Sequence, residues 1–156
     1  MGRANGRGAA AGRAGSEAGL SRLAQVSLRF AGYAAVFDRP DRGGDVVRRG
    51  AFRADGAVPL LWQHQGAPVG AVERLQEDRR GLRVIARVED AGLAEAVRRG
   101  AVTGLSFGYR VRAARQGLRR ELLEVQLVEV SLVTSPMQPL ARVHAVDGDF
   151  NRGEGE

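Results

Sequence analysis

From Val26 onward the chain runs in short apolar stretches, most of them alternating, set between glycine, proline and aspartate. VSLRFAGYAAVF, residues 26–37, opens the series, and DRPDRGGD at 38–45 interrupts it with the residue types of a loop. VPLLWQH, APVGAVERL, GLRVIARV, LSFGYRV and LLEVQLVEVSLV follow, each short, rich in β-formers and bounded by turn signals. Six or seven strands are predicted. Helical character is confined to DAGLAEAVRRG, residues 90–100, where Asp90 can cap the N-terminus, Arg98 and Arg99 suit the last turn, and Gly100 can end it. The pattern predicts an α+β, mainly β fold: a single, mostly antiparallel β-barrel with one or a few peripheral helices.

Composition sets the boundaries of that domain. The 156 residues suit one domain. Residues 1–24 are dominated by Gly, Ala and Arg, which cannot bury enough apolar surface to offset ordering, so they are expected to form a flexible arm. The folded domain is expected over 25–144, followed by an acidic tail over 145–156. No apolar run approaches the roughly 18 residues of a membrane span, so no membrane partner is expected. The absence of cysteine excludes disulfides, thiolate catalysis and cysteine-ligated zinc. All 24 basic residues are arginine and the net charge is +6, but acids are interspersed and aromatic residues make up only 5%. That composition disfavours nucleic acid as a partner.

The candidate chemistry begins with GLSFGY, residues 104–109. It fits G-x-S-x-G, yet a nucleophile elbow needs a helix directly afterwards. Here Phe107, Tyr109 and Val111 alternate with Gly108, Arg110 and Arg112, the period of a strand. Of the two histidines, His64 ends the stripe Leu60, Trp62, His64 just before the expected loop QGAP, and His144 follows the prolines of SPMQPL as a bystander. In LLEVQLVEVSLV, alternation places Glu129 in line with Leu123, Val125, Leu127, Ser131 and Val133, which buries a carboxylate unless a bulge intervenes. A buried carboxylate requires a partner. Among so many arginines, an arginine is the first expectation. Ser106, His64 and Glu129 are nonetheless the parts of an acyl-transfer triad, whatever their chain order.

Five stretches together resemble a known family: FAGYAAVFDRPDRGGDVVRRGAF, VPLLWQH, PVGAVERLQEDRRGLRVIARV, GAVTGLSFGYRV and LLEVQLVEVSLVTSPMQPLARV, between Phe30 and Val143. The family is that of the prohead maturation proteases of tailed bacteriophages and phage-derived gene transfer agents, distantly similar to herpesvirus assemblins. The resemblance implies a barrel-type serine protease in which His64 is the general base, Ser106 the nucleophile and Glu129 the third member. It implies a major capsid protein or its scaffold segment as substrate, self-cleavage, and action inside an immature shell in the bacterial host cytoplasm. A homodimer is compatible with it, and no metal or cofactor is called for. Backbone N–H groups are expected to stabilise the oxyanion, with the turn at Thr103 and Gly104 as the candidate place. Two other readings stay open: an α/β-hydrolase using Ser106, Glu129 and His144, and a catalytically silent capsid-assembly module with the same barrel.

Overall fold

The strand-forming runs of the sequence become one mixed sheet. The computed structural model describes residues 27–146, so the predicted arm and most of the acidic tail lie outside the described residues. In chain order the elements are β1 (Leu28–Val36), β2 (Val46–Val47), β3 (Phe52–Arg53), β4 (Pro59–Trp62), β5 (Gln65–Glu77), β6 (Gly81–Val88), α1 (Ala91–Arg98), β7 (Gly104–Gln116), β8 (Arg120–Val133) and β9 (Val143–Val146). The sheet is ordered β2-β8-β4-β5-β6-β1-β9, with β3 and β7 also paired to β8. β9 runs to Val146, two residues into the segment expected as tail.

The predicted helix forms as expected. Asp90 accepts from the Leu93 amide at 2.9 Å, and Gly100, at φ 78°, follows the last turn. Ala94 and Val97 are its buried face. They pack on the main core, in which Leu28, Phe30, Leu60, Val84, Val88, Leu105, Val130 and Leu132 are fully buried.

The expected strand pairing holds for the most part, and the expected barrel is corrected. Most of the pairing is antiparallel, as expected, in β1 with β6 and β9, β5 with β4 and β6, and β7 with β8, but the short strands β2, β3 and β4 run parallel to β8, so the sheet is mixed. Strands of two residues, such as β2 and β3, are too short to show any periodicity. The pairing also does not close a barrel, because β1 and β7 do not pair with each other as strands. The segment between β8 and β9 draws those two strands together at one corner only. There Leu105 donates to the Ala141 carbonyl at 3.0 Å, Val143 to Thr103 at 2.8 Å, and Tyr33 to Arg142 at 3.1 Å.

A second cluster steadies β7 beyond that corner. Phe37, Val47, Ala51, Leu122 and Val125 are buried with Phe52, Phe107 and Tyr109 against them. The Phe107 ring lies 5.1 Å from Phe52 and 4.8 Å from Tyr109, within the spacing at which aromatic pairs attract.

At the far end of β8, the buried carboxylate of Glu121 accepts from Arg115 Nε at 2.7 Å and from Arg48 Nε at 2.7 Å. Hydrogen bonds from Arg115, then Arg48, lower its pKa from 4.5 to about 2. A carboxyl held below its unfolded value stabilises the fold above that value and loses the contribution as pH falls through the folded value. Urea midpoints measured from about pH 6 to about pH 2 should therefore fall further for the parent than for Glu121→Gln. Parallel curves for the two proteins would contradict this account.

Candidate active site

Strand register assembles the site. β7 and β8 place Ser106 opposite Ser131 and Gly108 opposite Glu129, while β4 places Leu61 beside Ser131. Directly opposed residues on neighbouring strands share a face. Ser106, Ser131 and Glu129 consequently converge on one side of the sheet, all three buried. Serine fits within β7 as a strand residue. No helix follows it, and the nucleophile-elbow reading fails on that ground.

The bulge that the sequence left open is present. Between Gly108 and Tyr109 the partner on β8 jumps from Glu129 to Leu127, leaving Val128 as the extra residue, 45% exposed. Leu127 is buried with the main core. Alternation therefore breaks at Val128, and Glu129 is not carried on the run of Leu123, Val125 and Leu127. Its burial comes from what covers it, a turn from elsewhere in the chain.

That turn carries His64. Trp62 pairs with Gln65, so Gln63 and His64 form a two-residue hairpin loop, and QGAP, expected as a loop, is the start of β5. Gln63 and His64 have φ of 55° and 62°, the left-handed conformation that this kind of tight hairpin requires. For residues other than glycine it costs roughly 1–2 kcal/mol each. The stripe Leu60, Trp62, His64 is accordingly corrected: His64 leaves the strand before reaching its place on that face. Hydrogen bonds to β8 and the residue after it hold the turn. Gln63 N–H donates to Leu132 O at 3.0 Å, the Gln63 amide exchanges bonds with Thr134 at 3.1 and 3.0 Å, and His64 N–H donates to Ser131 Oγ at 3.1 Å.

The imidazole meets the acid directly. His64 Nδ1 lies 2.5 Å from Glu129 Oε1, and Ser131 Oγ donates to Glu129 Oε2 at 2.6 Å. The partner of Glu129 is thus a histidine and a serine, not the arginine that its burial first suggested. With Nδ1 against a carboxylate, the neutral ring keeps its proton on Nδ1 and leaves Nε2 as a base.

His144 lies elsewhere. Its ring stacks 5.7 Å from Tyr33, beside Arg80, Arg83 and Asp78, and burial followed by the two arginines lowers its pKa. The grouping of Ser106, Glu129 and His144 is not favoured, since Glu129 spends its carboxylate on His64 and Ser131 and the fold is not doubly wound. At the candidate oxyanion turn, Leu105 N–H is already bound to Ala141, and Thr103 Oγ1 accepts from Arg142 at 2.9 Å.

Both glycines of GLSFGY have steric reasons. A Cβ on Gly104 would lie 2.6 Å from Val133 O, and one on Gly108 would lie 2.4 Å from Glu129 Oε1. The carboxylate folds across a bare stretch of β7. The sequence reasoning missed this, and it missed Ser131, although Ser131 stood in line with Glu129 two residues away. A hydroxyl spaced by two from a buried acid was the available signal.

The fold resembles that of one solved herpesvirus protease. A crystal structure of KSHV protease in complex with a hexapeptide phosphonate inhibitor superposes with a TM-score of 0.51 at 13% identity, over 79% of this chain and 66% of that one. Varicella-zoster virus protease gives 0.37 at 16% identity, over 67% and 63%. The family itself follows from sequence: the profile described as caudovirus prohead serine protease matches residues 19–154, and the chain belongs to that family. The prohead protease of Enterobacteria phage HK97 is 32% identical over 138 residues, which take in 76% of this chain and 61% of that protein's length.

Gly108→Ala should separate the site from the fold. Its new methyl collides with the movable end of Glu129, so the carboxylate should swing away while the strands stay paired, at a cost of about 1–3 kcal/mol. The downfield proton resonance of a short His64–Glu129 hydrogen bond should disappear from the NMR spectrum of the variant. Its persistence would show that position 108 tolerates a side chain.

Proposed function

We propose that this protein is a serine endopeptidase that cleaves a capsid or scaffold protein, and itself, during prohead maturation. The observation that carries the reading is the contact of His64 Nδ1 with Glu129 Oε1 at 2.5 Å, on the face where β8 sets Ser131 opposite Ser106. Membership of the prohead serine protease family and likeness to the prohead protease of phage HK97 support that substrate class. The shell is that of a tailed phage or of a gene transfer agent derived from one, and the reaction takes place inside it.

The mechanism follows from the residue roles. Ser106 Oγ attacks the scissile carbonyl and His64 Nε2 takes the proton, leaving an imidazolium that Glu129 holds through Nδ1–H. His64 then gives the proton to the leaving amine, and an acyl-enzyme on Ser106 remains. Water enters, His64 deprotonates it, and collapse of the second tetrahedral intermediate returns Ser106 to its starting state. Glu129 stays an acceptor throughout. Ser106 is suited to the part because it makes no side-chain hydrogen bond to any described residue, while no fully buried polar side-chain atom among those residues lacks a partner. Its oxygen is reached by solvent.

Ser106→Ala removes one oxygen and should leave the fold intact while abolishing processing. Co-expression with the capsid or scaffold protein, followed by intact-mass measurement, reads the result, and full processing by the variant would end the protease reading. A catalytically silent assembly module would leave the partner unprocessed with parent and variant alike.

The two histidines can be ranked in the same assay. His64→Ala should lower turnover by at least about 10³-fold, whereas His144→Ala should stay within a few-fold of the parent. The reverse ranking would transfer the base to His144 and overturn the assignment.

A further inference from the structure

One hydroxyl joins every fixed part of the site. Ser131 is fully buried on β8, and its Oγ makes two hydrogen bonds of opposite sense. It donates to Glu129 Oε2 at 2.6 Å and accepts from the His64 backbone N–H at 3.1 Å. A serine hydroxyl has one proton. Because an ionised carboxylate cannot donate and a backbone N–H cannot accept, the direction of both bonds is settled.

The consequence is a closed ring of contacts. The His64 backbone is tied to Ser131, Ser131 to one carboxylate oxygen, and the other oxygen to the His64 ring at 2.5 Å. Each bond removes a freedom that the others leave. The ring contact alone would let the carboxylate turn about its own axis, and the turn at φ 62° would relax toward ordinary backbone without a bond to its amide. A site must hold its reacting groups to within about 0.5 Å, and here that task falls on a side chain that touches no reacting atom.

We propose that Ser131 is a positioning residue: by holding the His64 turn and the Glu129 carboxylate with one oxygen, it sets the direction in which His64 Nε2 faces Ser106. This rests on the protease reading, with Ser106 as nucleophile. Substrate binding does not pass through Ser131, so its loss lowers the rate of the chemical step and leaves affinity nearly unchanged.

The test uses the full chain and a fluorophosphonate that labels reactive serines, with its maximal rate and its affinity measured separately. Ser131→Ala should lower the maximal labelling rate of Ser106 by about 10- to 100-fold and change affinity by less than about threefold. Ser131→Cys fills the position with a somewhat larger group that is only a weak donor, and should be slowed nearly as much. Should the alanine variant not fold, the cysteine variant decides. In both variants the downfield His64 Nδ1 proton resonance should move upfield, which a packing role would not cause. A parental labelling rate in a folded variant, a loss confined to affinity, or an unmoved resonance would overturn the proposal. A parent protein that is not labelled at all would instead strike the protease reading, and the resonance would still judge whether Ser131 holds His64.

Discussion

A carboxylate buried at Glu129 needs hydrogen bonds to both of its oxygens, and much of the site's architecture follows from meeting that need. His64 can reach one oxygen only from a hairpin turn in left-handed backbone, a conformation that is costly for histidine. Ser131 supplies the other oxygen and also binds the turn's amide. Gly108 must lack a side chain because the carboxylate lies across its Cα. An unfavourable turn, a bare strand position and a buried hydroxyl are thus three consequences of one buried charge.

β8 is the element on which these requirements meet. It pairs antiparallel with β7 along one edge and parallel with β2, β3 and β4 along the other. The nucleophile candidate and the histidine turn therefore approach the same three residues, Glu129 to Ser131, from opposite sides. Flexible loops could bring the groups together, but the register of β8 fixes their separation through main-chain bonds. The bulge at Val128 adds a local device. It lets Leu127 pack in the core while Glu129, two positions on, is released to meet His64.

Much of this was legible in the sequence where periodicity is strong and local. β6 was expected over GLRVIARV and occupies Gly81–Val88, and α1 was expected with Asp90 as its cap. His64 and Glu129 were singled out by residue type and position, and they are in direct contact. What escaped depended on residues distant in the chain. Two-residue strands carry no period of their own, and the direction in which β2, β3 and β4 meet β8 is a property of the crossing chain. The turn at Gln63 and His64 escaped for a related reason: neither residue announces left-handed backbone as Asn-Gly would. Its stability comes from Leu132, Thr134 and Ser131, about seventy residues further along.

The two buried acids of β8 show why burial alone could not single out the acid that meets the histidine. Glu121 and Glu129 are 9% and 6% exposed, and sequence physics favoured an arginine partner for such a group. That expectation describes Glu121, which Arg48 and Arg115 clamp at 2.7 Å each. Guanidinium groups stay protonated at any working pH, so Glu121 can neutralise charge but takes no part in moving a proton. Glu129 is held instead by a hydroxyl and an imidazole, and an imidazole is a side chain built to accept and return a proton. An acid whose partner titrates can stabilise a charge that appears only during a reaction, whereas an acid whose partner is permanently charged stabilises the resting fold. The distinction lies in the partner, and the partner is fixed by the register of β8 and the turn that folds over it.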